Sequence, residues 1–460
     1  MKKQITELIN CIIYLFMGMQ IILGIVWGIA NLTKIPGFEE SKEVLQMSTT
    51  LMVDEYVGFL YPLLIRGITF LLPISGIPAC SVLYLLQLGL AYYAYSQFLK
   101  RVVFSDKKSN VQLRNKIRFL TGYLISVPVV FQVHMAVLPY SLASSLLILI
   151  LVRIMERYKT EKQSKPKEFI KTGVLCLLCA QICPEYIWLV GILIGIACAF
   201  YLFCHKEFAV SLCLMLCLVL VGNGICNSIQ PQMEQSGKIQ NSPEAVLLKR
   251  VVWPNFARFS YFWKGEIRQT WNDTELLILS TYPENVIYDF GPTIDEMFGL
   301  EEANNIYWEM IKRSFELDTK QIIFRICKEA GAYFCPPVTT YAQLHGIGAT
   351  YAGWNYGRMK DYTPGLTELY VEVALSSWIF MMILLVVAGL LTLKKKEWVP
   401  EQRRKYRWWA GGYLAAAVCL VDLWYVLVSA HTSDYKKVLV ISIIWTLGMI
   451  GLHKMLEERI

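Results

Sequence analysis

Charged residues are scarce in this chain. Asp, Glu, Lys and Arg make up 17% of its 460 residues, against about 25% in a soluble globular protein. That shortage excludes intrinsic disorder, which needs high charge and few apolar residues, and it argues against a water-soluble enzyme. No Asp-x-Asp motif occurs, so a nucleotide-sugar and metal site on the inner side of a membrane has no support. No internal repeat is evident. The 13 cysteines form no disulfide framework: most lie inside apolar runs, as at Cys176, Cys179, Cys213, Cys217 and Cys419. Cys176-x-x-Cys179 has metal or redox spacing, but no second pair or nearby His completes a site. In the hydrophilic segment, Cys327 and Cys335 leave a disulfide open.

What is present is apolar. Hydrophobic residues are 55% of the chain, gathered in runs of a length that crosses a hydrocarbon core of about 30 Å as a helix. Ten spans are expected, at 8–30, 77–99, 119–135, 138–155, 169–183, 186–203, 208–225, 373–393, 408–428 and 438–452. The first is too long for a signal-peptide apolar region and no small-residue cleavage site follows it, so it is expected to stay attached. The predicted fold is mainly α. It is a polytopic transmembrane helix bundle of about ten spans, with one large extracytoplasmic α or α+β domain inserted before the last three. The expected divisions are an N-terminal membrane module, 1–225, with a first outer loop at 31–76, an extracytoplasmic domain, 226–372, and a three-span C-terminal module, 373–460.

Net charge is +8. A nucleic-acid binder would collect its basic residues on one soluble face; here they sit in short segments between apolar runs, so no nucleic acid is expected. Short loops on the inner side of a membrane carry the excess of Lys and Arg. With both termini cytoplasmic, the inner segments hold 26 Lys and Arg and the short outer loops five, the other 13 lying in the long outer segment. All ten spans agree with this one orientation.

Candidate chemistry falls on the outer side. Met52-Val53-Asp54-Glu55-Tyr56 follows the first span, and behind it come Leu60-Tyr61-Pro62-Leu63 and Arg66. A carboxylate there can take a proton from a hydroxyl as that oxygen attacks, and the planar fork of Arg66 suits a phosphate. Leu138-Pro139-Tyr140-Ser141 opens the fourth span, Cys183-Pro184-Glu185-Tyr186 is a tight turn between the fifth and sixth, and the last outer loop carries Lys436 and Lys437. Asp422 is the clear ionisable residue within a span, a position that is functional or bonded to a neighbouring helix. Asn31-Leu32-Thr33 and Asn272-Asp273-Thr274 have the form of glycosylation acceptors. The outer domain is slightly enriched in aromatics, as at Gly353-Trp354-Asn355-Tyr356, which suits glycan stacking as well as core packing.

Together these features resemble the GT-C superfamily of polytopic glycosyltransferases, especially the bacterial relatives of protein O-mannosyltransferases. Asp54, with Glu55 beside it, stands where those enzymes carry an acidic residue shortly after the first helix. Pro139-Tyr140 and Pro184-Glu185 are similar to their Pro-Tyr and acidic turn. Cys183 stands where relatives commonly have Arg, and the outer domain matches nothing in the family. The resemblance implies a bacterial cell membrane and an extracytoplasmic site. The implied donor is a polyprenyl-phosphate sugar, since sugar nucleotides are cytoplasmic; the acceptor is a glycan, lipid or protein. Asp54 is then the base that activates the acceptor. Glu55 or Glu185 orients the acceptor or holds a divalent ion, the one cofactor left open. Arg66, Arg250, Arg258, Lys436 and Lys437 are the cations for the departing phosphate, and Tyr61 and Tyr140 line the substrate. Three other readings stay open. The first is an O-antigen-like polymerase or ligase. The second is a transporter or flippase of a lipid-linked glycan, centred on Asp422, and the third is a non-catalytic scaffold.

Overall fold

The computed structural model describes residues 2–33, 39–50, 57–71, 77–104, 110–160, 166–202, 206–229, 298–299, 363–393 and 412–424, with isolated positions between 301 and 327. The described residues are mainly helical, with no strand among them. In chain order the helices are α1 (Lys2–Asn31), α2 (Glu39–Thr50), α3 (Leu60–Leu71), α4 (Ile77–Phe98), α5 (Val111–Ile125), α6 (Pro128–His134), α7 (Pro139–Thr160), α8 (Pro166–Ile182), α9 (Tyr186–Leu202), α10 (Lys206–Ile229) and α11 (Pro364–Leu393). A further helix, α12, covers Gly412–Trp424. One compact unit comprises Met1–Met233, Phe334–Cys419 and Val438–Ile460; a second comprises Glu234–Tyr333 and Leu420–Lys437.

Among the described residues four helices are long and apolar enough to cross a membrane: α1 over Cys11–Asn31, α7 over Pro139–Glu156, α10 over Phe208–Cys226 and α11 over Pro364–Ile383. This is the makeup of an integral membrane protein. They match the expected runs 8–30, 138–155, 208–225 and 373–393. The runs at 169–183, 186–203 and 408–428 correspond to the shorter apolar helices Phe169–Ile182, Tyr186–Leu202 and Gly412–Trp424. The run at 77–99 is α4, and 438–452 lies outside the described residues. Helix α11 begins at Pro364, ahead of the apolar run. Glu368 and Glu372 interrupt the hydropathy there, but Thr367, Tyr370 and Val371 on the other side of the same turns are buried. Pro364 at the helix start has the preset φ that favours such a beginning.

The expected third span, 119–135, falls on a broken pair of helices that together are apolar enough to cross a membrane. They are α5 and α6, bent by 82°. Pro128 is the cause: it has no N–H to donate and it disfavours helical geometry in the residue before it. Val127 accordingly takes φ −63°, ψ 122°. A break of this kind leaves backbone groups unpaired, and a hydrocarbon setting tolerates that only where protein supplies partners. Neighbouring helices supply them at both ends of the break. The Ser126 carbonyl accepts from Gln20 Nε2 of α1 at 3.0 Å and from the Tyr370 hydroxyl of α11. Beyond α6, Gln87 Nε2 of α4 donates to the His134 and Ala136 carbonyls, both at 2.9 Å. Every residue from Val127 to Tyr140 is buried.

Helix α1 packs along α11 and α5 on small residues. A Cβ on Gly28 would lie 2.7 Å from the Phe131 ring, and one on Gly24 would lie 3.1 Å from Ser126 Cβ. Glycines four apart let helices approach this closely. Polar bonds then set the register of α1 against α11: Ser377 Oγ to Gln20 Oε1 at 2.6 Å, Trp27 Nε1 to Thr367 Oγ1 at 3.1 Å, and Asn31 Nδ2 to Thr363 Oγ1 at 3.3 Å. Asn31 is thereby buried, its amide also donating to the Trp27 carbonyl at 2.8 Å. The triplet Asn31-Leu32-Thr33 is therefore not an accessible glycosylation acceptor.

Candidate functional site

Three of the segments singled out in the sequence meet at one end of the helix bundle. The first is the entry to α3. Gly58 donates its N–H to the Ile182 carbonyl at 3.1 Å, and a Cβ at this position would fall 2.1 Å from the Gln181 carbonyl oxygen. Only glycine permits that approach, because the obstacle is backbone and cannot rotate away. Helix α3 buries Tyr61, Pro62 and Ile65 and exposes Leu63, Arg66, Phe70 and Leu71. Pro62 falls in its first turn, where the lost N–H has no helical partner in any case.

The second segment is the turn between α8 and α9. Cys183 N–H closes α8 onto the Cys179 carbonyl at 3.0 Å, and Tyr186 N–H returns to the Cys183 carbonyl at 3.0 Å. Pro184 sits between them, and α9 starts at once with Ile187 and Trp188 donating to Pro184 and Glu185. Glu185 is half-buried at the crest of this turn. The third segment is the start of α7. Tyr140 is fully buried, its ring centroid 6.3 Å from that of Tyr186.

Helix α4 ties these pieces together. Tyr61 donates its hydroxyl to Gln87 Oε1 at 2.8 Å. Burial pushes its phenol well above the ordinary range, so it remains a proton donor. Gln87 passes the connection on to the His134 and Ala136 carbonyls just ahead of α7. The His134 ring bonds Tyr95 through Nε2 and Ser141 through Nδ1, each at 2.8 Å. The chain of contacts thus runs from α3 through α4 to the break between α6 and α7. On the other flank, Gln181 Nε2 donates to Asn223 Oδ1 of α10 at 2.8 Å. The opposite end of the bundle is basic. There Arg101 meets Glu156 at 2.6 Å, linking the segment after α4 to the far end of α7.

Of the expected site residues, Tyr61, Tyr140 and Glu185 are brought to the same end, with Arg66 exposed about one turn along α3 from Tyr61. Asp54, Glu55, Arg250, Arg258, Lys436 and Lys437 lie outside the described residues. Asp422 is buried on α12. Cys176 and Cys179 are buried and unbridged, and Cys327 is exposed and unbridged. Among the described residues no group of three His, Cys, Asp or Glu could hold a metal ion. Gln20, Gln87, His134 and Asn223 were not read as site or network residues from the sequence. Their common signal is a lone polar residue inside an apolar run, where it needs a partner on another helix.

No protein-family model matches the chain, and neither the curated proteins nor the solved structures contain a significant match to it.

Proposed function

We propose that this chain is a membrane glycosyltransferase that moves a sugar from a polyprenyl-phosphate donor to an acceptor hydroxyl on the outer face of a bacterial cell membrane. The observation that carries the reading is the docking of Gly58 on the α8–α9 turn. The acidic pair Asp54-Glu55 precedes Gly58 in the sequence by four and three residues, and the turn on which Gly58 docks carries Glu185; the GT-C resemblance calls for acidic residues in these two segments. The end carrying Gly58 and Glu185 is read as the outer one because at the other end, where Arg101 pairs with Glu156, α4 and α7 lead into the basic sequence segments 100–118 and 153–171.

In the reaction, the Asp54 carboxylate takes the proton of the acceptor hydroxyl. The acceptor oxygen forms a bond to the anomeric carbon as that carbon's bond to the phosphate oxygen breaks. Polyprenyl phosphate leaves with the electron pair, its charge met by Arg66. Glu55 and Glu185 orient the acceptor. A divalent ion at these carboxylates remains part of the proposal.

The test uses the full chain in lipid nanodiscs with polyprenyl-phosphate sugars as donors. Release of polyprenyl phosphate should fall by about 10²–10⁴-fold in Asp54→Asn, the range a general base contributes, and should persist in Asp422→Asn. Full release by Asp54→Asn would remove the base from the mechanism. Lipid movement without bond cleavage, lost only in Asp422→Asn, would make the protein a transporter.

A further inference from the structure

We infer that Asn223 is a substrate-binding residue at the same end of the bundle, its side-chain N–H groups donating to hydroxyl oxygens of the sugar on the lipid carrier. This rests on the glycosyltransferase reading and adds to it the residue that senses the sugar. Asn223 stands near the end of α10, a helix whose other faces expose Leu214, Leu218, Leu220 and Val221. An amide on such a helix is costly unless it is bonded. Its Oδ1 is already taken by Gln181 Nε2 at 2.8 Å. That bond orients the side chain and leaves the Nδ2 donors unpartnered among the described residues. The residue is partly exposed.

Two further observations place the donors at the site. The Gln181 that holds Asn223 is the residue whose carbonyl abuts Gly58, so Asn223 and the α3 entry share one residue of α8's last turn. Asn223 is also flanked by glycines that differ in purpose. A Cβ at Gly222 would approach Leu177 to 3.2 Å, which explains that glycine by packing; a Cβ at Gly224 would meet nothing within 4 Å. Glycine inside a helix costs about 1 kcal/mol relative to alanine, and at Gly224 no neighbour among the described residues accounts for it. Among the described residues the position next to Asn223 in the helix is open. Neutral amide donors suit hydroxyl oxygens, whereas the phosphate of the same lipid calls for the cations already named.

The experiment measures binding rather than turnover, with the full chain in nanodiscs and two probes: a polyprenyl-phosphate hexose and sugar-free polyprenyl phosphate. Asn223→Asp keeps an acceptor for Gln181 and removes the donors; Asn223→Ala removes both. Each variant should bind the sugar-bearing lipid about three- to tenfold more weakly, the worth of one or two net hydrogen bonds, with sugar-free lipid bound as by the wild type. Equal weakening of both probes, or no weakening of either, would overturn the assignment while leaving the glycosyltransferase reading in place. A wild type that binds neither lipid would overturn both. Thermal melting of each variant checks the fold, and Asn223→Asp, which retains the Gln181 contact, carries the result if Asn223→Ala melts early.

Discussion

Helices α7 and α10 are both apolar and of membrane-crossing length, yet they have opposite surroundings. In α7 the stretch Pro139–Glu156 is 83% buried within the protein; in α10 the stretch Phe208–Cys226 is 22% buried, although α10 is the more apolar. In a water-soluble protein the order would be reversed, because burial is driven by removing apolar surface from water. In a bilayer the lipid tails are as apolar as leucine, so helices associate through close packing and hydrogen bonds instead. Helix α7 has what that requires: Ser141, Ser144 and Ser145 bond along it and to His134, and Ala143 lets α8 come close enough for Cys179 Sγ to reach its carbonyl at 3.4 Å. Helix α10 offers leucines to the outside, and its amide Asn223 bonds α8 near the helix end.

The largest effect that would sharpen this contrast is expected at the polar joint serving α7. Gln87→Leu removes the partners of the Tyr61 hydroxyl and of the His134 and Ala136 carbonyls. Each buried polar group left unpaired costs about 1–3 kcal/mol, so a loss of about 3 kcal/mol or more is expected, measured as a large drop in melting temperature in nanodiscs. A melting curve like the wild type's would mean the network is ornamental. Next comes Ala143→Leu, which forces a bulky side chain into the α7–α8 contact. Overpacking of this kind costs about 1–3 kcal/mol, and the same assay reads it. The smallest effect is expected on the outward face of α10. Leu218, 72% exposed, should tolerate alanine within about 0.5 kcal/mol, as ordinary surface positions do. If Leu218→Ala destabilised the protein as much as Ala143→Leu, that face of α10 would be covered by protein, and the contrast between the two helices would be broken.

Much of this architecture was legible in the sequence, because apolar run length is a direct measure of the bilayer's thickness. Helices α1, α7, α10 and α11 fall where those runs are. Two local features escape a reading by hydropathy. The run at 119–135 is continuous in hydropathy, but Pro128 breaks it; hydropathy records solvent preference and carries no information about backbone hydrogen bonds. Helix α11 extends ahead of the expected run at 373–393, where Glu368 and Glu372 interrupt the hydropathy while Thr367, Tyr370 and Val371 are buried. Within the candidate site, Tyr61, Tyr140 and Glu185 were identified as separate pieces. Gln87 and Asn223 were passed over, since one neutral amide in an apolar run looks the same whether it faces a partner or lipid.

By itself the sequence determined that the chain is helical and membrane-embedded, and it supplied the charge asymmetry on which the proposed orientation stands. These follow from summed properties of contiguous residues: run length, hydropathy and the count of Lys and Arg. Only the tertiary structure decided which polar residues meet. The joining of Gln20 to Ser126, Gln87 to the carbonyls of His134 and Ala136, and Gly58 to the α8–α9 turn depends on close approach between helices far apart in the chain. That approach is set by small residues and broken backbone at particular depths, which no sum over neighbouring residues contains.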